Sequence, residues 1–500
     1  MSSSKKIASN TIVMYIRMLF LIAISFVASR YLLKTLGIED YGIYSVVGSI
    51  SATFISLKSL FSESTQRFLN YEKGKESLSR QRIIYTISII IHIILAIAFV
   101  VLIEIVGLWL INNKLVIPIH KINTALFVFH MSVISMVLGI LSIPYDALVI
   151  ANEKMTFYAV VSIIDGILKL IVILLIPFLP FEYLRTYAVL MVIIPLITLI
   201  LLFIYSKKKF MECRITKERD RDLVVNILNL SGWNFFGNMS FSLLHEGLNF
   251  LLNAFGGLVL NAARSIAYQV KNLAVQFNNN TLVAVRPSVM QSAATVTNCQ
   301  LFDKILLISK ISFYGILIIV VPLLVYCDSL LSIWLTEVPP MSTLFTQLIL
   351  LGITVRSLHE PLNMFYMSLG NIKKMMLIET FIMVVTLIIA YVYLKLGGSI
   401  PAVFAILIIM EILIVLSLVY NAQTEFNVSF SQYWKLVLLP ICKLVLLITP
   451  FVILGIYYLQ FDSIILTLCF CIVYVCITFL LIYINMTSIE RSLLHKIIRK

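Results

Sequence analysis

The feature that constrains this chain most is a series of apolar runs of about twenty residues, separated by short polar breaks. A run of that length is what a helix needs to cross a hydrocarbon layer roughly 30 Å thick. Lipid offers no hydrogen-bond partner to a backbone amide, so such runs are helical. With 61% apolar residues, 12% charged residues and a mean hydropathy of +1.02, the composition also lies outside the range of water-soluble domains. The sequence predicts an all-α integral membrane protein.

The runs predict about fourteen transmembrane helices, with ends uncertain by a few residues. These spans cover residues 11–33, 42–62, 83–110, 123–143, 157–179, 185–205, 226–253, 258–285, 303–326, 342–368, 374–394, 400–420, 436–459 and 463–485. The first run follows Lys5 and Lys6 and is longer than a signal-peptide core, so it is interpreted as the first span.

The net charge of +14 is distributed unevenly, because most of the 38 lysines and arginines fall in loops on one side of the predicted membrane. The richest loops are residues 67–82 and 207–221. Such a bias orients a protein with its basic loops, and here both termini, in the cytoplasm. Attraction to anionic lipid headgroups accounts for the basic charge, and no nucleic-acid partner is expected.

Two halves of the chain share a weak internal repeat. The same spacing separates Gly37 from Arg67 and Gly256 from Arg286, and each pair brackets the second helix of its half. Later, Pro144 leads to an Asn and a Lys at the inner end of a fourth helix, as Pro361 does. Chance similarity of Leu- and Ile-rich helices is the alternative explanation.

The repeat predicts two six-helix lobes related by a pseudo-two-fold axis along the membrane normal, with the transported species held between them. The expected parts are an N-terminal lobe at residues 1–206, a basic cytoplasmic linker at 207–225, a C-terminal lobe at 226–420, and two extra helices with a basic tail at 421–500.

Spans 7 and 8 each carry a stripe of polar side chains along one face. On span 7 an arc of about 120° holds Asn234, Asn238, Ser242, Glu246, Asn249 and Asn253. On span 8 an arc of about 140° holds Arg264, Tyr268, Lys271, Asn272, Gln276 and Asn279. Two adjacent stripes favour a water-filled face, and isolated helix–helix hydrogen bonds are the alternative.

Cations inside the spans are expected to meet an anionic group, because a charge near the bilayer centre costs roughly 3 kcal/mol or more. Arg17 and Lys58 sit at similar depth on spans 1 and 2. With Arg264, Lys271 and Arg356 they predict a cationic vestibule with few acids in view, suited to phosphate or acidic sugar. For two pairs the alternative is neutralisation within one helix. Asp165 and Lys169, like Arg356 and Glu360, are four residues apart, which is the spacing of an ion pair on a helix face.

The predicted substrate-binding residues are therefore polar or cationic groups of spans 1, 2, 7, 8 and 10: Arg17, Lys58, Arg264, Lys271, Arg356, Asn234, Asn238, Asn249, Tyr268 and Gln276. Glu246 is the candidate for ion coupling, because it lies near the middle of span 7 beside His245 with no cation at i±3 or i±4. The alternative is that Glu246 only neutralises Arg264 or Lys271. The seven cysteines show no metal spacing, and no catalytic residue, metal or cofactor is expected.

Four segments resemble bacterial polysaccharide-biosynthesis flippases of the Wzx type, within the superfamily of multidrug, oligosaccharidyl-lipid and polysaccharide exporters. They are residues 28–44 (ASRYLLKTLGIEDYGIY), residues 64–68 (STQRF) with the following KGK, residues 261–269 (NAARSIAYQ) and residues 396–402 (LGGSIPA). The likeness covers residues 1 to about 420. The commoner glycine-aromatic step before the third segment is replaced here by Asn261.

The resemblance implies export of an undecaprenyl-diphosphate-linked oligosaccharide, such as an O-antigen repeat unit of lipopolysaccharide, across the bacterial inner membrane. It implies a MATE-like arrangement of two six-helix lobes plus two C-terminal helices, with alternating access driven by a proton or sodium gradient. The resemblance implies that cations on helices 1, 2 and 8 engage the diphosphate or acidic sugars, and Arg17, Lys58 and Arg264 occupy those helices here. Implied partners besides membrane lipids are the polysaccharide polymerase and other assembly proteins.

Two alternatives remain open at the sequence level. One is a multidrug or lipid II exporter of the same superfamily. The other is a membrane-embedded enzyme such as a polysaccharide polymerase or glycosyltransferase, although the chain lacks the large outside loop or catalytic domain that such enzymes need.

We expect cysteines placed singly at Asn238, Glu246, Lys271 and Gln276 in a cysteine-free background to react with a water-soluble maleimide, because a polar stripe on two adjacent spans is stable only against water or other polar groups. Labelling of intact membranes measures this. Protection at all four positions, equal to that of a lipid-facing control cysteine, would contradict a shared wet face.

Overall fold

The computed structural model describes residues 3–55, 65, 68–69, 72, 77–152, 154–218, 220–293, 296–369, 372–458, 464–486 and 491. In this part of the chain the regular secondary structure is entirely helical. The chain therefore has the all-α architecture that the apolar runs predict.

The helices follow the predicted spans in order. The helix Ser3–Ile55 is broken at Gly37, and its arms before and after this residue are called α1 and α2. The others are α3 Leu78–Asn113, α4 Ile122–Ala151, α5 Met155–Leu175, α6 Tyr183–Lys209, α7 Arg221–Gly256, α8 Leu258–Ala293, α9 Asn298–Val325, α10 Ser342–Leu369, α11 Ile372–Lys395, α12 Ile400–Phe426, α13 Leu439–Tyr458 and α14 Ile464–Asn485.

Short helical pieces connect some of these elements. The eight-residue helix Cys327–Trp334 follows α9, and Phe430–Tyr433 with the π-helical turn Trp434–Leu438 leads into α13. Several helices run beyond the apolar runs, as α8 does to Ala293 and α12 to Phe426. Backbone hydrogen bonding does not stop at the hydrocarbon boundary, so polar residues continue a helix into the aqueous region.

Ten segments of the described chain are long and apolar enough to cross a membrane. Three long helices, α7, α8 and α10, are not among them. The polar stripes lower the hydropathy of α7 and α8, and α10 contains Arg356, His359 and Glu360. A long helix of low hydropathy in a membrane protein needs polar partners along its length, and these three helices supply most of the site residues discussed below.

The repeat recurs in the backbone. Gly37, between α1 and α2, has φ 74° and ψ 173°, and Gly257, between α7 and α8, has φ 75° and ψ −174°. This conformation is accessible to glycine and to almost no other residue. The structural equivalent of Gly37 is thus Gly257, one position after the glycine that the sequence comparison aligned with it.

Helix lengths and proline positions repeat as well. Both α6 and α12 are 27 residues long. Pro144 lies inside α4 and Pro361 inside α10. The chain divides into two units, Met1–Ala262 and Ala263–Lys500. Within the first, α4 packs against α3 and α6; within the second, α10 packs against α9 and α12.

The first unit also contains α7 and the first residues of α8, because α7 packs against the helix Ser3–Ile55. At this contact α2 approaches the α7–α8 turn closely. A Cβ atom added to Gly42 would lie 2.3 Å from the carbonyl oxygen of Leu258, so only glycine permits the approach. The second unit holds the rest of α8 and α9 to α14, with α14 packed against α9.

We expect Gly37→Ala and Gly257→Ala each to destabilise the protein by about 1–3 kcal/mol, because a Cβ atom is strained at these φ and ψ values although no neighbouring atom lies within 4 Å of its position. Thermal unfolding in detergent measures this. Gly139→Ala is the matched control, since Gly139 is helical in α4 and has equally open surroundings. It should be neutral or stabilising by up to about 1 kcal/mol; equal losses at all three glycines would contradict the argument.

Candidate functional site

The second unit carries two cations on one aromatic ring of α8. The guanidinium Cζ of Arg264 lies 4.0 Å from the ring centroid of Tyr268, and Nζ of Lys271 lies 4.5 Å from it. Positions i, i+4 and i+7 share one helix face, so the sequence itself brings these three side chains together. A tyrosine face attracts cations through its quadrupole. This stabilises two positive charges at membrane depth, where an anionic ligand group would find charged donors.

Arg356 on α10 is held by two carboxylates. Its Nη1 lies 3.0 Å from Oε1 of Glu411 on α12, and its Nη2 lies 3.4 Å from Oε1 of Glu360, one turn along α10. The side chains of Arg356 and Glu411 are only 20% and 9% exposed, so the pair is largely removed from solvent. The predicted pairing of Arg356 with Glu360 is confirmed, and the stronger contact is the one between helices.

A histidine and a third carboxylate extend this cluster. Nε2 of His359 lies 2.8 Å from Oε1 of Glu379 on α11, and its Nδ1 lies 3.9 Å from Oε2 of Glu411. The His359 side chain is 1% exposed. Arg356, His359, Glu360, Glu379 and Glu411 therefore form one ionisable network across α10, α11 and α12, which we call the acidic network.

The prediction of a vestibule with few acids in view is wrong for the second unit. Lys271 interacts electrostatically with Arg356, Glu411 and Arg264. A carboxylate therefore lies near the cations of α8 and α10. Arg356 serves mainly as the counter-ion of Glu411 and Glu360. We therefore retain Arg264 and Lys271 as the leading candidates for binding an anion. Arg356 belongs to the acidic network, and its role in substrate binding stays a prediction.

The sequence reasoning missed His359, Glu379 and Glu411. A signal was present, because an ionisable residue inside a predicted span is a functional candidate by default. His359 lies in span 10, Glu379 in span 11 and Glu411 in span 12. The contacts among these residues are made between neighbouring helices, so spacing within any one helix does not reveal them.

In the first unit, Arg17 on α1 stacks on an aromatic ring of α5. Its Cζ lies 5.0 Å from the ring centroid of Tyr158. Its Nε has no hydrogen-bond partner among the described residues, which leaves a charged donor at membrane depth. Lys58, predicted to act with Arg17, lies outside the described residues, and their joint role stays a prediction.

Three asparagines of α7 and α8 form a buried hydrogen-bonded cluster. The side-chain amide of Asn261 donates to Oδ1 of Asn249 at 2.8 Å, and that of Asn253 donates to Oδ1 of Asn261 at 3.0 Å. Outside the cluster, Asn249 donates to the carbonyl of Ser45 on α2, and Oδ1 of Asn253 accepts from the backbone N–H of Val116. This asparagine cluster ties α2, α7, α8 and the α3–α4 connection together.

Asn249 is therefore part of a helix–helix contact. It is 1% exposed, and Asn253 and Asn261 are fully buried. At this end of α7 the alternative of interhelical hydrogen bonds is the correct one, and the wet stripe does not extend to Asn249 in this conformation. The role of Asn249 in substrate binding remains only a prediction.

The remaining predicted residues lie on α7 and α8. Glu246 and Gln276 are partly buried on α7 and α8. Asn234 and Asn238 lie on α7, but their side chains belong to the part of the chain that the structure does not describe. Their proposed roles stay predictions. In the described chain, no group of three or more His, Cys, Asp or Glu side chains is arranged to hold a metal ion.

Solved structures share this architecture. The lipid II flippase MurJ in an inward closed conformation aligns with a TM-score of 0.70 at 15% identity, over 97% of this chain and 100% of its own. An inward-facing MATE-family multidrug resistance transporter of the MOP superfamily aligns with a TM-score of 0.67 at 13% identity, over 84% and 98%. A MOP-superfamily transporter from Pyrococcus furiosus gives 0.63 at 13% identity, over 85% and 96%.

No protein-family model and no curated protein matches the sequence. The fold is thus the all-α, multi-pass membrane-transporter fold shared by MATE proteins and MurJ. Identities of 13–15% show this fold alone.

We expect Glu411→Leu to destabilise the protein by about 3–5 kcal/mol, because it leaves Arg356 in a solvent-poor site without its closest counter-ion. Thermal unfolding in detergent measures the loss, and Arg356→Met in the same chain should restore part of it. The control is Lys169→Met, which breaks a pair with Asp165 in which the lysine is 44% exposed. That pair should contribute no more than about 1 kcal/mol. Equal effects of the two single variants would contradict a special role for the buried pair.

Proposed function

We propose that this protein is a flippase that moves an undecaprenyl-diphosphate-linked oligosaccharide, such as an O-antigen or capsular repeat unit, from the cytoplasmic to the periplasmic leaflet of a bacterial inner membrane. The observation that carries the proposal is the pair of cations, Arg264 and Lys271, on the ring of Tyr268 in α8. Lys and Arg suit a diphosphate because charge-assisted hydrogen bonds to phosphate oxygens are stronger than neutral ones.

The extent of the structural likeness supports a lipid-linked substrate. The MATE structures cover 82–85% of this chain, whereas MurJ covers 97%. A match of that extent takes in most of α13 and α14, which lie beyond the twelve helices of the two repeats. The protein that shares the additional helices is described as a lipid II flippase, which favours a lipid-linked substrate over a soluble drug.

The acidic network supports coupling to an ion gradient. Three carboxylates and an imidazole inside membrane-spanning helices are costly to keep unless they have a function. The imidazole of His359 favours a proton over sodium, because it can accept a proton, whereas hard cations prefer oxygen ligands. Glu246 remains the second candidate for coupling, and its alternative role as a counter-ion for Arg264 or Lys271 remains open.

Two other functions can be compared with this proposal. A multidrug or lipid II exporter has the same fold and stays the main alternative. A cationic drug would favour embedded carboxylates, which the acidic network supplies, so direct transport measurements must decide. The membrane-embedded polymerase or glycosyltransferase is disfavoured, because the structural neighbours are described as transporters and a flippase.

We expect proteoliposomes containing the protein to flip a fluorescent undecaprenyl-diphosphate-linked disaccharide, and Arg264→Ala with Lys271→Ala to lower the rate at least about tenfold, since each lost charged hydrogen bond to phosphate is worth about 1.5–3 kcal/mol. Loss of probe fluorescence on adding an impermeant quencher measures transfer. Lys169→Ala is the control, because this cation already pairs with Asp165 at 2.6 Å. It should leave the rate unchanged.

Parallel assays separate the alternatives. Uptake of ethidium without flipping of the lipid-linked probe would overturn the proposal in favour of a drug exporter. Flipping of lipid II at a much higher rate than the disaccharide probe would identify the other lipid-linked substrate.

A further inference from the structure

The first unit contains an apolar groove between α3, α4 and α6 that the transport proposal does not use. Its volume is about 290 Å³, near the lower end for ligand pockets. The lining side chains are Ile89, His92 and Ile93 of α3, Leu141, Pro144 and Tyr145 of α4, and Leu199, Ile200 and Phe203 of α6. With the exception of His92 and the tyrosine hydroxyl, they are apolar.

The groove opens at the surface of the unit. Ile93, Ile200 and Phe203 on its rim are 44%, 46% and 39% exposed, whereas Ile140 and Leu202 nearby are buried. In a helix bundle of this hydropathy, an exposed apolar rim on membrane-spanning helices faces lipid chains and not water. The groove is therefore accessible from the bilayer.

Its depth corresponds to one leaflet. Tyr145 and Phe203 each lie six residues before the end of their helix, roughly 9 Å at 1.5 Å per residue, and Ile89 lies roughly 16 Å after the start of α3. One leaflet contributes about 15 Å of hydrocarbon. All three helix ends adjoin basic segments, so the groove lies in the leaflet next to the basic loops.

A proline in α4 and an aromatic pair shape the groove. Pro144 has no N–H group, so the carbonyl of Ile140 receives no helical hydrogen bond from it, and α4 is weakened at this level. Below it, the rings of Tyr145 and Phe203 pack edge to face with centroids 5.7 Å apart. This aromatic pair forms the part of the groove wall nearest the basic end.

A lysine lies at the basic end of the groove. Nζ of Lys207, one turn after Phe203 on α6, lies 5.4 Å from the centroid of the Phe203 ring. Lys207 is exposed, as are Lys208 and Lys209 after it. An apolar groove of leaflet depth, with a lysine directly at its polar end, matches the charge and shape of an anionic lipid.

We propose that this groove binds one chain of an anionic glycerophospholipid of the cytoplasmic leaflet, with the phosphate-containing headgroup on Lys207. The chain lies along Ile93 and Ile200, and the Tyr145–Phe203 pair supports it near the headgroup. The site is distinct from Arg264 and Lys271, and it holds a resident membrane lipid and not the transported substrate.

Photo-crosslinking tests this site. The full-length protein is reconstituted into phosphatidylethanolamine nanodiscs with a trace of a diazirine-chain probe, either phosphatidylglycerol or phosphatidylethanolamine, and labelled peptides are mapped by mass spectrometry. We expect the phosphatidylglycerol probe to label residues 89–93 and 199–203 about fivefold more than the zwitterionic probe, since one lysine near the surface is worth about that factor. Lys207→Gln should reduce this ratio to about one, and Lys208→Gln should leave it unchanged.

A groove-filling variant supplies the second readout. Ile200→Trp should remove most labelling at residues 89–93, whereas Ile193→Trp, two turns away on the same face of α6 and 43% exposed, should not. Equal labelling by both probes, or labelling at the groove no stronger than on the exposed face of α14, would overturn the proposal. Labelling by an undecaprenyl-diphosphate probe alone would also overturn it and would identify the substrate chain as the occupant.

Discussion

The rest of this structure depends on the absence of water from the bilayer core. Every backbone polar group must bond within its helix, and every polar side chain must find a partner in a neighbouring helix, a ligand or a wet cavity. The chain meets the first requirement with long apolar helices and the second with two different kinds of contact. One kind is the neutral amide contact between α7 and α8 in the first unit, and the other is the charged contact across α10, α11 and α12 in the second.

The asparagine cluster and the acidic network illustrate this difference. Asn249, Asn253 and Asn261 use neutral donors and acceptors over short distances, so burial costs little once each amide is bonded. Arg356 and Glu411 are charged, and desolvation of such a pair is only partly compensated by attraction. The buried charged contact contributes little stability to the fold, which is why we propose a role in ion coupling for the acidic network.

The internal repeat connects local conformation with the whole chain. Gly37 and Gly257 adopt the same glycine-only conformation, and the helices after each of them recur in the same order. Such a repeat provides two equivalent sets of helices on one chain, the arrangement on which alternating access depends in many transporters. The additional helices α13 and α14 stand outside this repeat, and the coverage of MurJ shows that the same extended architecture occurs in a lipid flippase.

The sequence by itself determined the helices. Apolar runs predicted the order and approximate position of the described helices, because the length needed to cross a bilayer is fixed and the helical hydrogen bonds are local, although α1, α4, α8 and α12 extend well past the predicted ends. Contacts within one helix were equally accessible: the spacing of Arg264, Tyr268 and Lys271 and that of Arg356 and Glu360 follow from 3.6 residues per turn.

Only the tertiary structure decided which helices meet and which face each one turns towards its neighbour. Glu411 and Glu379 were visible as charges inside spans, but their partners lie on α10, and the pairing depends on how α10, α11 and α12 are rotated against one another. Asn249 shared a stripe with residues predicted to face water, yet packing of α7 against α2 buried it. The reason is that side-chain periodicity defines a helix face, whereas close packing between helices selects the environment of that face.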